Sequence, residues 1–243
     1  MKQYLQSTRA PWCSYLFVLP LLALYQGVAL LANLGERRAV INGADALVQQ
    51  FLGLLGLHGW LGSWLVVAVV AGILVYRADP EGRKQPFQPR HFGLVLGESA
   101  VYATFFGSIV SFLTSLILPG AGFLQIGGGH SLHLGQRLAT SLGAGLYEEL
   151  VFRLLLTGGL LWAFRRCGWS HTAVLAAAVV TSSVIFSGFH YVGSLGEVFQ
   201  LGSFMFRFVA GLVLAGLFAA RGFAVAAWTH ALYDVFLVLM GRA

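Results

Sequence analysis

The chain has 243 residues, of which 58% are hydrophobic and only 10% charged, with a mean hydropathy of +0.78. Such a composition excludes an ordinary soluble domain and reads as a polytopic membrane protein. The net charge of +6 does not make it a nucleic-acid binder, because the basic residues fall between and at the ends of apolar runs, where they mark topology.

A helix needs about 20 apolar residues to cross roughly 30 Å of hydrocarbon. In chain order the sequence predicts seven such spans: Trp12 to Asn33, Trp60 to Tyr76, Phe92 to Leu118, Leu138 to Phe164, Thr172 to Tyr191, Phe199 to Ala220 and Phe223 to Met240. The first follows Lys2 and Arg9 as a signal sequence would, but its apolar core is too long for one, and it is expected to stay in the mature chain. Ile41 to Leu57 carries apolar residues at helical spacing, with Asp45, Gln49 and Gln50 on another face, and reads as an interfacial amphipathic helix. The expected fold is therefore all-α: a polytopic membrane helix bundle of about seven transmembrane helices plus one interfacial helix. It forms one integral membrane domain over 1–243, with N-terminal spans and loops in 1–135 and catalytic helices in 136–241.

Lys and Arg collect on the cytoplasmic side of short loops. Lys2 and Arg9, then Arg77, Arg83, Lys84 and Arg90, then Arg165 and Arg166, then Arg221 all fall on one side of a seven-span chain, while Arg37, Arg38 and Arg137 fall on the other. This places the N-terminus in the cytoplasm and the C-terminus outside, in a cell membrane such as a bacterial inner membrane. The loop from Pro119 to Gln136 is glycine-rich but lacks the Lys-Ser/Thr of a phosphate loop, and its His130 and His133 are a weak metal pattern. Cys13 and Cys167 have no ligand spacing and predict no disulfide.

Ionisable residues inside lipid-spanning helices are costly and mark functional sites. The fourth span contains Glu148, Glu149 and Arg153. Glu149 and Arg153 are four apart and share a helix face, so they can pair, while Glu148 is turned about 100° away and stays free. The fifth span ends in Phe186-Ser-Gly-Phe-His190, and the seventh holds His230-Ala-Leu-Tyr-Asp234, again four apart. A glutamate beside a stabilised ion pair, with two histidines brought by other helices, is what peptide hydrolysis through an activated water requires.

Glu-Glu-x-x-x-Arg, Phe-x-x-x-His and His-x-x-x-Asp, in this order on later helices, resemble the CPBP family of glutamic intramembrane proteases. That family includes CAAX prenyl endopeptidases and bacteriocin-processing and immunity proteins. The resemblance covers about Leu138 to Met240. It implies that Glu148 is the general base and His190 its partner on the water. It further implies that Glu149 and Arg153 are a supporting pair, with Phe186 also among the supporting residues, and that His230 and Asp234 stabilise the tetrahedral intermediate. Relatives often carry Asn at the position of Asp234, whose ionised carboxylate would repel an oxyanion, so Asp234 is either protonated or orients His230. Arg207 in the sixth span is a candidate partner for it.

The expected activity is an intramembrane endopeptidase without cofactor or metal, acting on a membrane-associated protein or peptide in an unknown oligomeric state, with sorting tails and leader peptides among the candidate substrates. A zinc-dependent endopeptidase on the same residues is the alternative. A proton-coupled transporter and a non-catalytic immunity-type partner also stay open. Ser108, Ser141 and Ser187 lie in no nucleophile motif.

Overall fold

The computed structural model describes residues 2–35, 39–57, 60–84, 88–119, 132–193 and 196–241. A short helix α1 (Lys2–Arg9) leads into α2 (Pro11–Ala32), and α3 (Gly43–Leu54), α4 (Trp60–Ala78), α5 (Pro80–Arg83) and α6 (Pro89–Ile117) follow. The fourth predicted span is one helical passage in three parts: α7 (Leu134–Gly143), a wide-turn segment (Ala144–Thr157) and α8 (Gly158–Phe164). After a tight turn at Arg165–Cys167 come α9 (His171–Phe189), α10 (Leu201–Arg221) and α11 (Phe223–Leu239). Among the described residues there is no strand. The fold is an all-α membrane bundle.

The apolar helices α2, α6, α9 and α10 are each long enough to cross a membrane, and α4 and α11 contain shorter apolar stretches. The passage from α7 to α8 carries Glu148, Glu149 and Arg153, which keeps it from matching its neighbours in hydropathy. Helix α11 lies at the centre, against α2, α6, α7, α10 and the wide-turn segment. Four small inward residues, Ala224, Ala226, Ala227 and Ala231, are fully buried and let its neighbours come close. Small side chains let membrane helices approach closely, which is the main source of packing energy where lipid is as apolar as the core.

One end of the bundle is tied by Arg221, which the sequence alone places among the loop charges. It is buried, donates to both oxygens of Glu98 at 2.6 and 2.8 Å and reaches the Thr8 hydroxyl at 2.9 Å. At the same end the Arg9 Nε donates to the Ala220 carbonyl at 2.6 Å. Glu148, Glu149, His190, His230 and Asp234 lie further along the helices, away from this end.

Helix α3 is amphipathic, as the spacing predicts, and its acidic residue faces the bundle. Leu47, Phe51 and Leu54 point outward, whereas Asp45 is fully buried and bonds the Tyr25 hydroxyl and, at 2.8 Å, the Gln49 amide. In an apolar surround a helix lowers its energy by turning carbonyl and carboxylate groups towards partners inside the bundle.

Candidate active site

Each site residue sits on an element whose local chemistry aims it inward. The helix bearing the two glutamates widens to i→i+5 hydrogen bonding over Ala144–Thr157. Such expansions are rare and concentrate at functional sites. Where the ladder loosens, the Phe152 carbonyl is met by the hydroxyls of Thr157 at 2.7 Å and Ser182 at 2.8 Å. Two glycines give the glutamates their reach. A Cβ on Gly145 would fall 2.4 Å from the backbone nitrogen of Ala231 in α11, and one on Gly143 would fall 2.7 Å from the Tyr25 ring and 3.0 Å from the Asn42 Cβ.

The two oxygens of the fully buried Glu149 face different groups. Oε2 is 3.2 Å from the Arg153 Nε, and Oε1 is 2.9 Å from the His230 Nδ1. The Arg153 guanidinium also lies 4.4 Å from the centre of the Phe186 ring. The i,i+4 ion pair thus has a third member that spacing alone did not show, a histidine 81 residues away. It is Glu149, at hydrogen-bond distance, that orients His230, while the Asp234 Oδ2 stands 3.6 Å from the His230 Nε2.

Glu148 faces a different group. Its Oε1 accepts from the Asn42 Nδ2 at 3.0 Å, and its Oε2 is 3.9 Å from the His190 Nε2 and 4.0 Å from the His230 Nε2. The His190 Nδ1 lies 3.0 Å from the Phe186 carbonyl. A carbonyl only accepts, so Nδ1 carries the proton and a neutral His190 turns an unprotonated Nε2 to Glu148. These side chains line a cavity of about 300 Å³ with Asn42, Glu148, His190, Arg207, His230 and Asp234 on its wall.

Arg207 is in the cavity wall but not in the expected pairing. Its ion-pair partner among the described residues is Glu197, at 2.6 Å, on the connection between α9 and α10, and it also donates to the Tyr191 hydroxyl at 3.2 Å. The Glu197 N–H in turn donates to the His190 carbonyl at 2.9 Å, which brings a closer carboxylate to Arg207 than Asp234. The hydroxyls of Ser141 and Ser187 are bonded to the carbonyls of Arg137 and Phe204.

No group of three or more His, Cys, Asp or Glu side chains that could hold a metal ion is found among the described residues. The His133 Nε2 packs 3.0 Å from the Ala32 carbonyl. His130, most of the glycine-rich loop, Arg37 and Arg38 lie outside the described residues.

Residues 130–236 match the family described as type II CAAX prenyl endopeptidase Rce1-like. Through this stretch the chain is similar to the CPBP and CAAX protease family. The match contains both glutamates, Arg153, Phe186, His190, Arg207, His230 and Asp234, and together with the apolar helices it supports a membrane protein with intramembrane protease activity in general. No curated protein and no solved structure shows a significant match to the chain. Asn42 and the helix it caps lie outside the matched residues; sequence reasoning found the helix and missed Asn42. The only sign of Asn42 in the sequence is its place directly before a helix, as a cap.

Proposed function

We propose that the chain is a glutamate-dependent intramembrane endopeptidase that hydrolyses a peptide bond of a membrane-associated protein or peptide. The observation that carries this reading is the placement of one carboxylate oxygen, Glu148 Oε2, 3.9 and 4.0 Å from two imidazole nitrogens in the wall of one cavity. A water about 2.8 Å from both Oε2 and the His190 Nε2 fits this separation. It donates one hydrogen to each and keeps a lone pair for the carbonyl carbon. As the C–O bond forms, Glu148 takes the water's proton and later passes it to the leaving amine when the C–N bond breaks.

His230, held through Nδ1 by Glu149, presents Nε2 to the cavity. In its imidazolium form it donates there to the developing oxyanion, with the carboxylates of Glu149 and Asp234 as its counter-charges. Asp234 acts on this histidine and not on the oxyanion.

The test is Glu148→Gln, which keeps the shape but cannot accept the proton. Cleavage is expected to fall by more than about a hundredfold, the usual range for a lost general base, with the protein still inserted and folded. Activity within a few-fold of the parent would remove Glu148 from this role. Chelation is expected to leave the rate unchanged, and loss with EDTA or phenanthroline restored by zinc would move the chemistry to a metal.

A further inference from the structure

Asn42 belongs to the N-terminal part of the chain, outside the family match, yet its side chain touches the general base proposed above. Its Oδ1 accepts from the Ala44 N–H at 2.8 Å, capping α3, and its Nδ2 donates to Glu148 Oε1 at 3.0 Å. The cap decides which way the amide points. Turning it over would set an NH2 group against the Ala44 N–H, donor to donor, so the donor must face Glu148.

The helix that carries this amide is itself fastened. Asp45, three residues beyond the cap and fully buried, bonds the Tyr25 hydroxyl of α2 and the Gln49 amide. Gly143 lets Asn42 lie alongside the glutamate helix, since any side chain there would meet both Asn42 and Tyr25. Asn42 is therefore fixed by its own cap, by the anchorage of α3 and by a neighbour without a side chain.

We infer that Asn42 is a positioning residue for Glu148: by occupying Oε1 it stops the carboxylate from turning and leaves Oε2 as the oxygen that faces His190, His230 and the reactive water. This inference rests on the reading of Glu148 as the base. A plain helix cap would not need an asparagine, because Ser, Thr and Asp cap as well. Among these capping residues only asparagine carries its acceptor and its donor on two separate atoms, so that Oδ1 can cap while Nδ2 reaches the carboxylate.

The difference gives the test. Asn42→Ser and Asn42→Asp both retain a capping oxygen and lose the Nδ2 donor: the aspartate has no donor, and the serine has only the O–H of its single, shorter capping group. With an internally quenched apolar peptide that the parent cleaves in detergent micelles, kcat is expected to fall about tenfold to a hundredfold in each, the size of effect that small misplacements of a reacting group produce. KM should stay within about twofold and the unfolding temperature should match the parent. In a Glu148→Gln background, adding Asn42→Ser should cost nothing further, because the group it positions has lost its function. A kcat within about twofold of the parent in either cap-competent variant overturns the inference, and so does a loss matched by a lowered unfolding temperature in both. If Glu148→Gln is inactive while Asn42→Ser is fully active, only the role of Asn42 falls. If Glu148→Gln is itself active, the general-base reading falls with it.

Discussion

Glu149 serves two partners with two oxygens, and this divides its contribution to stability from its contribution to chemistry. Its pairing with Arg153 takes place at 1% and 0% side-chain exposure, so removing either partner strands a buried charge at a cost of about 3–5 kcal/mol. Glu149→Ala and Arg153→Ala are each expected to lower resistance to unfolding in detergent by that order. The double change Glu149→Leu with Arg153→Met is expected to recover much of the loss, because a well-packed apolar pair avoids the desolvation cost. It is not expected to recover activity, since His230 loses the acceptor on its Nδ1. Unfolding curves in micelles, measured beside cleavage rates, separate the two effects. Single variants as stable as the parent would show that the pair adds nothing to the fold.

At the scale of elements, the wide-turn segment and α11 are pressed together at one point, Gly145 against Ala231. Gly145→Ala places a methyl group 2.4 Å from the Ala231 nitrogen and 2.4 Å from its Cβ, contacts that backbone cannot absorb without a shift. Overpacking of this kind costs about 1–3 kcal/mol, and here it also lengthens the Glu149–His230 contact. Activity is expected to drop at least tenfold, whereas Gly158→Ala, with nothing within 4 Å of the new methyl, is expected to behave as the parent. Equal rates for the two variants would mean that close approach at Gly145 does not set the site.

Contacts within one element were legible in the chain, and contacts between elements were not. Glu149 with Arg153 and His230 with Asp234 could be read because spacing of four is a local rule. The widened helix could not, because the expansion leaves no local residue pattern and is compensated by hydroxyls, one of them on another helix, at Ser182. Asn42 was hidden by its separation of 106 residues from Glu148 and by an amphipathic helix whose polar side faces the bundle and not water. The Arg207 partner was hidden for a similar reason: Glu197 lies in a connection, where no period constrains a side chain.

For the whole molecule, the order of helices sets the depth of the site. The chain passes through the bundle in alternating directions, so the end that holds Arg9, Arg221 and the Arg165–Cys167 turn is opposite the end where α9 finishes at Phe189 and α10 starts at Leu201. Glu148, the Asn42 cap and His190 lie towards that second end. If the arginine-rich end is cytoplasmic, as the distribution of basic residues predicts, the cavity opens in the outer half of the bilayer. An exported sorting tail or leader peptide would then suit the site better than a cytosolic prenyl tail. The native Cys167 is exposed and reports on the arginine end. A cysteine introduced as Val192→Cys, in a Cys167→Ser background, reports on the other, since Val192 is 71% exposed. In intact cells a membrane-impermeant thiol reagent is expected to modify the Val192→Cys protein and to leave native Cys167 unmodified until the membrane is opened. The reverse pattern would turn the cavity to the cytoplasm and make a cytosolic tail the natural substrate.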